Sequence, residues 1–190
     1  MLQVRPITKK SGELLAFKEL YLSAFPKSEQ TPIWFLLHRA KRDSVKFYGY
    51  YDDDVFAGFS YTITQGELTC VQYLAVGAKN RSKGYGTLIL SNIKEQYPDN
   101  RILLGIEAED ENAANNEQRR KRRTFYIKNE YFSTGIFSKM NGVIYEMLMY
   151  GGTCTTDECQ ALLKEYLGPI PYLIYKPKFF NKTKEGFLTV

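Results

Sequence analysis

Apolar and polar positions follow two rhythms along this chain, and the switches between them mark its elements. The stretch "LQVRPI" (2–7) reads as a first strand. In "SGELLAFKELYLSAF" (11–25), Leu15, Phe17, Leu20 and Phe25 fall roughly on one helical face, with Ser11 as N-cap and Glu13 in the first turn. "TPIWFLLHRAKR" predicts a second helix with Thr31 as N-cap and Pro32 at the first helical position. "SVKFYGYYDDDVFAGFSYTIT" and "GELTCVQYLAV" predict three strands, joined by turns at Asp52–Asp54 and at Gly66. A helix follows in which Leu88, Ile89, Ile93 and Tyr97 recur at helical spacing before "YPDN" stops it. "RILLGIEAED" is the near-continuous apolar run of a strand covered on both faces. "NNEQRRKRRTFYIKNEY" is helical, and "STGIFSKMNGVIYEMLMY" reads as a hairpin turning at Asn141-Gly142. A short helix, "TTDECQALLKEYL", and an apolar end, "IPYLIYK", close the series. The order of elements predicts a mixed α/β (α+β) fold around a central sheet.

Composition narrows the class. A chain of 190 residues, 44% apolar and 15% aromatic, is long and apolar enough for one domain with a sizeable core. We expect a single domain over 1–190, with 151–190 a C-terminal helix and strand extension of it. The net charge of +5 favours anionic partners without demanding nucleic acid. Cys70, Cys154 and Cys159 are odd in number and lack the spacing of a disulfide framework, which fits a reducing cytoplasm. A single histidine, His38, argues against a histidine-based metal centre or triad, and no metal is expected. The N-terminus lacks the apolar core of a signal peptide, and no run approaches the roughly 20 apolar residues that cross a bilayer. A cytoplasmic protein without a membrane segment is the expectation.

The chemistry concentrates between two elements. "LAVGAKNRSKGYGTLIL" runs from an apolar strand through a loop carrying Arg81, Lys83, Gly84 and Gly86 straight into a helix. A helix start presents unpaired backbone N–H groups and partial positive charge, a ready site for phosphate. Glycines let an anion approach the backbone, Arg81 and Lys83 add charge, and Thr87 offers a hydroxyl. Neither GxGxxG nor a Gly-Lys-Ser/Thr ending is present, which disfavours a Rossmann dehydrogenase or a nucleotide hydrolase.

These residues resemble the GNAT superfamily of N-acetyltransferases. Its Gln/Arg-x-x-Gly-x-Gly/Ala signature stands here as "RSKGYG", Arg81 to Gly86, preceded by "YLAV", Tyr73 to Val76. "FYIKNEYF" resembles the family's "FYxKxGF" element, and the likeness runs from about Phe47 to Tyr150. The resemblance implies a mixed sheet splayed between its fourth and fifth strands, helices on both faces, and acetyl-CoA as co-substrate. It implies that Leu74, Ala75 and Val76 offer backbone groups to the pantetheine arm, and that the amides of Ser82, Lys83, Gly84, Tyr85 and Gly86 cradle the pyrophosphate. It also implies that Tyr126 protonates the departing thiolate during acetyl transfer to a primary amine, whether of a small molecule or of a peptide.

The chain departs from that pattern at Arg119 and Arg122, where the family often has Asn and Ala, and at Glu130, where it has glycine. Arg119, Arg122 and Tyr126 fall at i, i+3 and i+7 of one helix. Strand alternation puts Glu107 and Glu109 on one side. Two readings stand for them: Glu107 or Glu109 takes the amine's proton, directly or through water, or both acids pair with the arginines. Glu29, between the first two helices, is a further acceptor-site candidate by resemblance. Tyr48, Tyr50 and Tyr61 either line an acceptor pocket or pack within the sheet. "RRKRR" (119–123) lies inside a helix with an apolar continuation, so a nucleic-acid partner is not expected. The tail "PYLIYK" reads as an edge strand or a homodimer contact. A non-catalytic acyl-CoA-binding regulator on the same fold is the competing reading.

Overall fold

The computed structural model describes residues 2–168, 172, 178–183 and 186–189. Contacts divide the chain into two compact units, one of Met1–Thr64 with Val71–Pro98, the other of Gln65–Cys70 with Asp99–Val190.

In the first unit, strands β1 (Gln3–Pro6), β2 (Val45–Asp52), β3 (Val55–Gln65) and β4 (Leu68–Val76) follow one another in the sheet, β1–β2 and β2–β3 antiparallel. Asp53 and Asp54 hold φ of 45° and 65°, the left-handed pair that a two-residue hairpin turn requires, and Asp52 pairs with Val55 across it. Helices α1 (Leu14–Ala24), α2 (Ile33–Arg39) and α3 (Tyr85–Gln96) complete the unit. Its core is aromatic: Phe17, Phe47 and Phe59 meet edge to face, with centroids 4.8–6.2 Å apart. Such pairs each add about 0.5–1.5 kcal/mol beyond the area they bury.

Both expected N-caps are displaced. Ser11 closes a separate turn, its Oγ accepting from the Thr8 N–H at 2.8 Å, and α1 starts three residues later behind Glu13. Thr31 is drawn away from α2 by tyrosines. Its N–H donates to Tyr21 Oη at 2.7 Å and its Oγ1 lies 2.9 Å from Tyr73 Oη, so Pro32 is the N-cap. Leu15 and Leu88 are exposed, not on the buried faces; Tyr21 and Leu90 take those places. Tyr50 and Tyr61 are fully buried core residues, hydrogen-bonded to Ser60 and to the Leu36 carbonyl, so they do not line a pocket.

In the second unit the first residues of β4, Leu68–Cys70, pair in parallel with Arg101–Leu103 of β5 (Arg101–Glu107). The sheet continues through β7 (Val143–Tyr150), β6 (Phe132–Met140), β8 (Lys178–Thr183) and β9 (Gly186–Thr189), all antiparallel. The expected mixed sheet is therefore present, with β4 and β5 paired in parallel. Ile102, Leu103 and Leu104 are buried in succession, as a strand covered on both faces must be. The β6–β7 hairpin turns at Asn141 and Gly142, with φ of 49° and 82°. Helices α4 (Asn116–Lys128) and α5 (Thr156–Leu167) complete the unit. The apolar end at 170–176 lies, apart from Tyr172, outside the described residues. Among the described residues no helix is long and apolar enough to cross a membrane.

Candidate active site

Each unit carries part of the sequence-predicted site. In the first, Ala75 is buried and Leu74 and Val76 are half-buried at the end of β4. Gly58 of β3 lets the strand pass close, since a Cβ there would come 2.4 Å from the Ala75 carbonyl oxygen. The Gly77 N–H donates to the Ala57 carbonyl at 2.9 Å, and a short 3-10 turn at Ala78–Asn80 leads into the loop.

Arg81, Ser82 and Lys83 are exposed. Ser82 and Gly84 hold φ of 62° and 84°, so the loop reverses twice before α3 begins. Gly84 is the N-cap and carries no side chain, so the N–H groups of Tyr85, Gly86 and Thr87 start the helix without a side-chain cap. A Cβ at Gly84 would meet nothing within 4 Å. The glycine thus supplies the left-handed φ and leaves open space above the donors. Thr87 is exposed there, while the Tyr85 hydroxyl turns aside to donate to Asp52. Uncapped donors, open space and nearby cations fit a diphosphate.

The chain from Pro26 to Thr31 borders the same unit's strand β4. Tyr73 Oη donates to the Glu29 carbonyl at 2.8 Å, and the Glu29 N–H donates to the Pro26 carbonyl at 2.9 Å. Glu29 is therefore fixed through its backbone beside the residue preceding Leu74.

In the second unit α4 carries a guanidinium–carboxylate network. Glu107 lies 3.1 Å from both Arg119 Nη2 and Arg122 Nη1 and accepts from Asn115 Nδ2 at 3.3 Å. Arg119 also donates to Asn115 Oδ1 at 2.9 Å and to the Ala108 carbonyl at 2.8 Å. Glu107 and Arg119 are almost buried, so removing one partner of this pair costs more than removing one partner of an exposed pair such as Lys121–Glu117. β5 ends at Glu107, so Glu109 lies beyond the strand and alternation does not reach it. It pairs instead with Arg120 at 3.4 Å and, at 4.0 Å, with Arg123, which also meets the nearly buried Glu146 at 3.0 Å. The sequence thus brings the acids and arginines together as pairs, with different arginines serving each acid. Asn115 and Glu146 escaped sequence reading. Asn115 was visible as an i, i+4 partner of Arg119, and Glu146 as the lone acid in an apolar strand.

Tyr126 is half-buried in the last turn of α4, its ring 5.1 Å from Phe125 and 5.9 Å from Tyr131. Desolvation pushes its phenol above the usual value, and the Arg122 charge pulls partly back. Its carbonyl accepts from the Tyr131 N–H at 3.0 Å while the Glu130 N–H donates to Ile127, the Schellman pattern that ends a helix.

Among solved structures, a GNAT-family acetyltransferase from Bacteroides thetaiotaomicron superposes with a TM-score of 0.69 at 20% identity, over 91% of this chain and 98% of that one. An aminoglycoside 6'-N-acetyltransferase complexed with coenzyme A gives 0.63 at 16% identity, over 78% and 96%. A GNAT-family acetyltransferase from Elizabethkingia anophelis with acetyl-CoA bound gives 0.56 at 16%, over 78% and 96%. These likenesses establish a shared fold. No curated protein matches the chain. The acetyltransferase (GNAT) family matches residues 14–119, more than half of the sequence, and the chain belongs to that family.

Proposed function

We propose that this protein transfers an acetyl group from acetyl-CoA to a primary amine. The observation that carries the reading is the uncapped start of α3 behind Ser82 and Gly84, both left-handed, in a chain of this family. The amides of Ser82, Lys83, Gly84, Tyr85 and Gly86 hold the pyrophosphate, Arg81 and Lys83 add charge, and Thr87 donates its hydroxyl. Backbone groups of Leu74, Ala75 and Val76 align the pantetheine arm and polarise the thioester carbonyl. The amine nitrogen attacks the thioester carbon, the C–S bond breaks, and the sulfur takes the Tyr126 proton. A phenol, whose ordinary pKa is about 10, carries the proton at neutral pH that this role requires. The amine's own proton leaves to water or to a carboxylate, and the Tyr126 phenolate regains a proton from solvent. Glu107, held by two arginines and an asparagine, serves this best by ordering α4 and accepting through water.

The engagement of Glu107 also favours a second reading, a non-catalytic acyl-CoA-binding regulator. Thiol release from acetyl-CoA, followed across polyamines, aminoglycosides, amino acids and peptide N-termini, decides between them. Acceptor-dependent thiol is expected, with Tyr126→Phe lowering kcat by about 10-fold or more while coenzyme A binding persists. Coenzyme A binding with no acceptor-dependent thiol would favour the regulator, and unchanged turnover in Tyr126→Phe would remove the phenol from the reaction.

A further inference from the structure

A groove of about 930 Å3 opens within the first unit between α1, the segment joining it to α2, and α2 itself. Its walls are apolar, formed by Leu14 and Leu22 of α1 and by Ile33 and Trp34 of α2. Trp34 is 68% exposed and Leu22 55%, so large apolar surfaces stand in water at the rim. Leu15, seven residues before Leu22 on α1, is exposed too and lengthens the strip. Lys9, Lys18 and Lys27 also line the groove, and no Asp or Glu does. Among the described residues none of these three ammonium groups has a carboxylate partner.

We propose that this groove docks an acidic amphipathic helix of a partner protein. Three observations choose that occupant. The rim residues are more than half exposed, so the groove is an open trough; a small ligand would keep much of its own surface in water there. A flat lipid surface would touch Trp34 and Leu22 yet leave the trough unfilled. The 11-residue α1 is about 16 Å long and accommodates roughly three turns of a partner helix whose apolar ridge recurs at i, i+3, i+4 and i+7. Acidic side chains flanking that ridge meet Lys9, Lys18 and Lys27, which supplies charge complementarity and disfavours a basic helix. The proposal stands independently of acetyl transfer.

Trp34 is the only tryptophan in the chain, so its emission reports directly on the groove. The probe is a synthetic helix of about 14 residues with leucines on one face and glutamates flanking them, titrated into the full-length protein at low salt. A saturable blue shift is expected, with affinity at least about 10-fold above that of the same peptide carrying lysines. The double substitution Lys18→Glu and Lys27→Glu should weaken it by about 10-fold or more. Unchanged circular dichroism and unchanged melting temperature of that variant exclude misfolding as the cause. Equal response to acidic and basic peptides, or no response, would overturn the proposal. So would a larger saturable shift with laurate, with vesicles of phosphatidylglycerol and phosphatidylcholine, or with protein concentration alone. Those outcomes would assign the groove to a small amphiphile, a membrane surface or a second copy.

Discussion

Glu130 occupies a position that glycine holds easily and other residues do not. Its φ of 68° is the left-handed turn that ends α4 in a Schellman pattern, with the Tyr131 N–H reaching back to the Tyr126 carbonyl. The sequence marked Glu130 as a departure from the family pattern, and the backbone explains what the glycine is for. The conformation is kept, and the side chain is tolerated at a cost of about 1 kcal/mol. Glu130→Gly should therefore stabilise the protein by about 1 kcal/mol, or roughly 2–4 °C in melting temperature for a chain of this size. A lower melting temperature in that variant would mean that the glutamate side chain contributes more than its strained backbone costs. At the same scale, the placing of Glu107 and Glu109 was only half legible. Their opposite charge to "RRKRR" was plain in the sequence. Which arginine meets which acid depended on β5 ending at Glu107, and that end is set by tertiary pairing with Tyr145.

Elements with purely local determinants were read closely. The turns at Asp53–Asp54 and Asn141–Gly142 need two residues with positive φ, and both sequences advertise such residues. Helix starts were read less well, because side-chain partners distant in sequence competed for the capping residue. Tyr21 and Tyr73 claim Thr31, and no local pattern announces them. Helix α5 keeps its local signal. Thr155 and Glu158 form a full capping box, and Glu158 also pairs with Arg101 at 2.7 Å. The Arg101 hydrogen bond, helped by the Thr155 N–H, holds the Glu158 carboxyl at about 2, below its usual value near 4.3. A folded-state pKa below the unfolded one stabilises fully above about pH 4.3 and loses that contribution as pH falls toward 2. The side chain is 37% exposed, so screening limits the gain to about 1 kcal/mol or less. Glu158→Gln keeps an acceptor for the Thr155 N–H but not the charge. Denaturant titrations of both proteins from pH 7 to pH 2.5 should show wild type converging on the variant as pH falls. A gap that persists undiminished at pH 2.5 would rule out the Arg101–Glu158 charge pair as its source.

For the molecule as a whole, a ligand that binds only the folded chain raises its stability by an amount fixed by concentration and affinity. The family, the order of elements and the loop from Arg81 to Gly86 were all legible because they rest on short motifs in a set sequence of strands and helices. The division of the chain into two units was not legible. β4 reads as one continuous apolar strand, yet Leu68–Cys70 belongs to one unit and Val71–Val76 to the other. Free coenzyme A at about 100 times its dissociation constant should add about 2.7 kcal/mol, which is about 5–10 °C in melting temperature. Gly84→Val forces a β-branched residue into φ of 84° and should abolish that gain. The same substitution will lower the melting temperature of the free protein, so the decisive quantity is the increment on adding coenzyme A, measured for each protein against itself. Because a Cβ at Gly84 meets no other part of the protein within 4 Å, a loss of the increment reports on the backbone turn, its N–H groups and the open space above them, with no clash inside the protein to confuse it. An increment as large in Gly84→Val as in wild type would show that coenzyme A is held by something other than the start of α3.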